Sequence, residues 1–186
     1  MIPQRIVPVR HGDARGWFSE TYSRRRLAER GIDVEFVQDN HSFSAQRGTL
    51  RGIHFQVPPH PQAKLVRCIA GAIFDVAVDL RAGSPSYGQW VGATLTADGG
   101  EQLFVPEGFG HGFLTLTENV QVGYKASGYY APECDAGLAW DDPDIAIAWP
   151  SDDIVPVLSA KDRALPQLRD FVSHFAYHGE PMQALD

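Results

Sequence analysis

One histidine, one arginine and one lysine, close together in the chain, set out the chemistry this protein could do. The run Gly48-Thr49-Leu50-Arg51-Gly52-Ile53-His54-Phe55-Gln56 is rich in strand formers, and Lys64 follows it closely. An imidazole between Ile53 and Phe55 in extended chain can point into an interior, where desolvation and a partner set its protonation. Lys64 is the second anomaly. Alternation through Lys64, Val66 and Cys68 puts its ammonium on a mostly apolar face, a costly position unless something uses it or it snorkels from an edge strand. A lone strand histidine is as readily a packing residue. The company of Arg51 and Lys64 is what argues for a site.

The elements that must position these groups are short and extended. Gly (18) and Pro (13) are spread along 186 residues, which suits many strands and turns better than long helices. Ile6 to Arg10 reads as an opening strand, His11 to Gly16 as a turn, and Trp17 to Tyr22 as a second extended segment. Ser23 is placed to cap a short helix from Arg24 to Arg30 that ends at Gly31, although three consecutive arginines oppose the helix dipole and read better as a solvated face. From Val34 to Leu116 extended segments alternate with breakers. In Ala72 to Leu80, Phe74, Val76, Val78 and Leu80 oppose Ile73, Asp75, Ala77 and Asp79. Strict alternation separates Arg51 from His54 unless Gly52 hosts a bulge or Arg51 works from a rim. The tail from Ser151 reads as loops and short helices laid on the core. A single all-β domain over residues 1–186, a jelly-roll β-sandwich, is the expectation.

Composition narrows the function classes. A net charge of −7 argues against general nucleic-acid binding, while leaving room for a local positive field around an anionic small molecule. No run approaches membrane-spanning length, and the first residues lack an apolar signal core. Cys68 and Cys134 are far apart and form no C-x-x-C pair, so a reducing cytoplasm is the expected location.

Gly48 followed after five residues by His54 opens the first motif of the cupin jelly rolls. Gly100, Pro106, Gly108 and His111 reproduce most of the second. The metal-binding set is broken, because Gln56 stands where a second histidine is expected and residues 57–62 contain no Glu. His54 and His111 alone are too few ligands, so no metal is expected.

The wider pattern resembles the dTDP-4-dehydrorhamnose 3,5-epimerase family. It runs from Asp13-Ala14-Arg15-Gly16 through Gln38-Asp39-Asn40, Leu50 to Gln56, Gln62-Ala63-Lys64 and Ser84 to Gly88. It continues through Pro106 to Leu114, Tyr124-Lys125, Tyr129-Tyr130, Trp140 to Pro143, Trp149-Pro150 and Leu158 to Asp162. The resemblance implies a dTDP-4-keto-6-deoxyhexose substrate, whose C3 and C5 protons are acidified by the ketone, and no cofactor. It implies His54 as base, Tyr124 as acid, Lys64 as oxyanion stabiliser and Asp162 as the carboxylate that orients His54. Ser159 to Asp162 also reads as a variant capping box, and Tyr124 also as a packed strand aromatic. Arg15, Arg51 and Lys161 match positions on the nucleotide or its phosphates. Glu20, Gln38, Asp39, Asn40, His111 and Asp135 match other binding positions, and Asp135 stands where many relatives carry Glu. Tyr130 matches the aromatic that stacks on thymine. A homodimer whose N-terminal strand joins the partner's sheet is also implied. A 3- or 5-epimerase, a 3,4-ketoisomerase, a metal-dependent cupin and a non-catalytic nucleotide-sugar binder are the alternatives.

Overall fold

Side-chain alternation sorts the strands of the computed structural model, which describes residues 1–151 and 153–186, into two facing sheets. The chain opens with β1 (Gln4–Ile6), the hairpin β2 (Arg10–Asp13) and β3 (Gly16–Ser19), and helix α1 (Arg24–Ala28). Then come β4 (Gln38–Ser44), β5 (Leu50–Gln56), β6 (Lys64–Ala70), β7 (Ala72–Asp79), β8 (Arg81–Ala82), β9 (Trp90–Thr96), β10 (Gln102–Val105), β11 (Phe109–Thr115) and β12 (Val120–Ala126). β13 (Asp135–Gly137), helix α2 (Ala160–Arg163) and β14 (Phe175–Ala176) complete the described elements. One sheet has the order β1-β10-β6-β12-β4 and the other β13-β5-β11-β7-β9, with antiparallel pairing in both. This is the expected sandwich of the cupin type.

Three apolar layers follow from the alternation. Between the sheets, Val66, Ile73, Ala77, Leu95, Leu103, Phe113 and Val122 form a packed core. The opposite side of β5, β7 and β11 contributes Ile53, Phe55, Val76, Val78 and Leu114, and the C-terminal segment covers it with Leu138, Ile145, Trp149, Leu168 and Phe175. Outside the first sheet, Ile6, Leu65 and Phe104 meet Leu27 and Ile32. Each layer removes apolar surface from water at about 25 cal/mol per Å². Residues of β7 serve two of these layers, which is why that strand is buried on both faces.

Two local expectations change. Ile6 to Arg10 is not one strand, because Pro8 lacks the amide a ladder needs, and pairing resumes at Arg10. His11, Gly12 and Asp13 of β2 pair with Phe18, Trp17 and Gly16 of β3, so the turn narrows to Ala14 and Arg15. The helix after Ser23 does form, over Arg24–Ala28 rather than to Arg30. Ser23 Oγ accepts from the Arg26 amide, and buried Leu27 pins the helix while its arginines face solvent. The tail settles into the expected loops and short helices and adds a strand that was not expected, β14, paired with β8; Asp152 lies outside the described residues.

Candidate active site

A bulge in β5 builds the centre of the site. Arg51 pairs with Phe113 and His54 with His111, so three steps along β5 match two along β11. The extra residue falls at Gly52-Ile53 and brings Arg51 and His54 onto the same face. Gly52 has φ +131, and a Cβ there would lie 2.5 Å from Gly112 Cα. Only glycine fits such an approach. Arg51 reaches across to β4, donating to the carbonyl of Phe43 at 3.1 Å.

From the opposite sheet, β6 and β12 supply Lys64 and Tyr124. The two sheets enclose a cavity of about 300 Å³ whose lining includes Arg51, His54, Lys64, His111, Tyr124 and Lys161. His54 Nε2 lies 2.5 Å from Asp162 Oδ1, on helix α2. The other carboxylate oxygen accepts from Ser159 Oγ at 2.7 Å, and that hydroxyl also accepts from the Asp162 amide at 3.0 Å. The cap and the histidine contact are therefore one arrangement: the capping serine holds the carboxylate against the imidazole. Burial pushes the His54 pKa below its usual 6.5, and Asp162 only partly offsets this.

Behind the cavity, His111 Nε2 is 2.8 Å from Asp75 Oδ1, both groups buried. Among the described residues Asp75 Oδ2 has no hydrogen-bond partner. Lys64 Nζ donates to the His54 carbonyl at 3.4 Å. Burial pushes its pKa down to about 8, against the attraction of Asp75 and Asp135. Burial raises the Tyr124 pKa, keeping the phenol protonated at neutral pH. The enclosure thus joins a weakly basic imidazole, a phenol that can donate, and a cation. It can remove a proton, return one, and hold negative charge between the two steps.

A family model described as dTDP-4-dehydrorhamnose 3,5-epimerase matches residues 4–170. This chain belongs to the dTDP-4-dehydrorhamnose 3,5-epimerase family. A family enzyme from Sinorhizobium fredii is 51% identical over 172 residues, covering 92% of this chain and 88% of the relative. The crystal structure of the Bacillus anthracis dTDP-4-dehydrorhamnose 3,5-epimerase with TDP and PPi bound matches with TM-score 0.85 and 48% identity, over 88% of this chain and 93% of that one. The Legionella pneumophila dTDP-6-deoxy-D-glucose-3,5-epimerase in complex with dTDP-4-keto-L-rhamnose matches with TM-score 0.89 and 42% identity, over 94% and 93%. The chain is accordingly an enzyme, an isomerase of the epimerase type.

The residues matched to the family's binding positions fall into two groups. Gln38 and Asn40 lie in register with Ala126 and Tyr124 and share their face. Gln38 Oε1 accepts from the Tyr130 amide at 3.1 Å. At the rim, the Tyr130 hydroxyl donates to Asp135 Oδ2 at 3.2 Å, and Lys161 pairs with the same oxygen. Arg15, Glu20 and Asp39 stand apart from the cavity. Arg15 sits on the β2–β3 turn, ion-paired with Asp13 and 90% exposed at its side chain. Glu20 pairs with Arg26 at 3.0 Å, and Asp39 with Lys125 at 2.9 Å. Asp39 is carried to the outer face by the alternation that turns Gln38 and Asn40 inward.

Ser42, Phe113 and Ser159 also line the cavity, and Asp75 backs it; none was selected from sequence. Asp75 did leave a signal, as an acid placed with Ile73 and Ala77 on an interior face. Among the described residues no three His, Cys, Asp or Glu side chains cluster as metal ligands. No described helix is long and apolar enough to cross a membrane.

Proposed function

We propose that this enzyme converts dTDP-4-dehydro-6-deoxy-D-glucose to dTDP-4-dehydro-L-rhamnose by successive inversion at C5 and C3, without a cofactor. The observation that carries this reading is one cavity into which His54 and Tyr124 project from opposite sheets, with Lys64 between the same walls. With its Nε2–H donated to Asp162, the neutral His54 offers Nδ1 as proton acceptor. A proton leaves the carbon next to the ketone, its electron pair moves onto the ketone oxygen, and Lys64 stabilises that oxyanion. Tyr124 then delivers a proton to the other side of the same carbon and the ketone re-forms; His54 loses its extra proton to water and Tyr124 regains one from water before the second carbon reacts. No electrons are exchanged with any other group. Arg51 and Lys161 face the diphosphate, and Tyr130 faces the thymine.

The placement of Arg15 supports a homodimer. The β2–β3 hairpin exposes Trp17 and Phe18 and holds Arg15 away from its own cavity. Docked on a second copy, the arm covers these aromatics and brings Arg15 to the partner's diphosphate. The test is incubation with the 4-keto substrate in heavy water, followed by NMR. Deuterium should enter both C3 and C5 with inversion, and His54→Ala should exchange neither. Incorporation at one carbon alone would make the enzyme a mono-epimerase, and binding without exchange would make it a non-catalytic binder.

A further inference from the structure

Gln56 lies two residues beyond His54, on the same side of β5, and is buried. Its amide is spent on the backbone of His60 and of the two residues that flank Tyr130. Nε2 donates to the carbonyl of His60 at 2.7 Å and to that of Tyr129 at 3.3 Å, while Oε1 accepts from the amide of Ala131 at 2.9 Å. Two carbonyls require the amino group and one N–H requires the oxygen, so the orientation is unambiguous. Gln38, from the other sheet, holds the Tyr130 amide itself. Side chains from both sheets therefore fix the backbone of residues 129–131, while the Tyr130 ring stands largely exposed.

We infer that Gln56 is a positioning residue for nucleotide binding: it presets the Tyr130 segment so that the ring meets the base without a loop having to order first. The inference rests on the proposed role of Tyr130 as the base contact. It also gives the residue that departs from the metal-cupin pattern a task of its own.

The sharpest variant is Gln56→Glu. Ionised, its carboxylate still accepts from Ala131 but turns a second oxygen onto two carbonyls; protonated, it regains one donor. Calorimetry with dTDP should show the Kd raised by about tenfold or more near pH 7.5 and partly recovered at lower pH. Deuterium exchange at saturating substrate should change by less than about threefold, because the cavity groups are untouched. Gln56→Met should lose affinity at every pH. In a Tyr130→Ala background, either Gln56 substitution should add little, because its effect passes through that ring.

A Kd within about twofold of wild type in both folded variants, or fully additive losses, would overturn the inference. If neither variant folds, hydrogen exchange of the wild-type enzyme decides. The Ala131 amide should be protected without ligand, and exchange at the rate of an open loop would overturn the inference equally. Tyr130→Ala with unchanged dTDP affinity would remove the base contact itself, and this inference with it. A loss in that variant beside unaffected Gln56 variants would overturn only the role of Gln56.

Discussion

At the scale of single residues, the division of labour between His54 and Tyr124 separates taking a proton from inverting a centre. Tyr124→Phe keeps His54, Asp162 and Lys64, so the enolate should still form and the proton on His54 can exchange with solvent. Inversion should fall by about 10²–10⁴-fold and deuterium incorporation much less, when both are followed in one tube. Equal losses would show that Tyr124 is not a one-sided acid. The pH profile follows from two groups. His54 must be neutral to act, and burial holds its pKa below 6.5, so the acid limb of kcat/KM should lie below that value. Lys64 must be charged, and burial brings its pKa down to about 8, so activity should fall again as pH rises through that value. Lys64→Met should lower kcat by roughly 10²-fold and abolish the alkaline limb near pH 8. A limb that persists belongs to another group.

At the scale of elements, the site depends on one extra residue in β5. Gly52→Ala would put a Cβ 2.5 Å from Gly112 Cα and 2.9 Å from the His111 carbonyl, at a φ of +131. We expect a loss of roughly 2–4 kcal/mol in urea unfolding, with activity per folded molecule also reduced as β5 and β11 lose their register. A variant as stable as wild type would mean that the bulge can relax without cost. The same strand shows what was legible beforehand. Alternation in β6 marked Lys64 as a cation on an apolar face, and His54 stood out among strand formers, whereas in β7 it set Asp75 opposite Phe74 and Val76 without singling it out. The register shift depends on Gly112, sixty residues after Gly52, so the sequence of β5 alone left Arg51 and His54 unresolved. The partnership of Ser159, Asp162 and His54 is equally non-local. Its capping half is readable from spacing, while its histidine half needs helix α2 to pack against β5. Tyr124 carries no local mark at all and came from resemblance.

At the scale of the whole molecule, the proposed homodimer would make activity a property of two chains. His54→Ala and Arg15→Ala enzymes should each be poor as homodimers. After unfolding, mixing and refolding together, hybrid dimers carry one barrel with His54 served by an arm with Arg15. Random assortment should restore roughly a quarter of wild-type activity. No gain on mixing would confine Arg15 to its own chain.

Beyond the family match, residues 171–186 fold back along the sandwich. Met182 and Leu185 pack on the core between the sheets, Arg81 donates to the carbonyl of Glu180, and Arg5 donates to the main-chain oxygen of Asp186 at 3.4 Å. Strand β1 and residues 180–186 are thus within one side chain of each other. Their order along the polymer is then incidental to the contacts they make. A circular permutant of residues 1–186, with residues 186 and 1 joined through a short linker and the chain opened at the exposed Glu118 turn between β11 and β12, should yield the same sandwich and a working cavity.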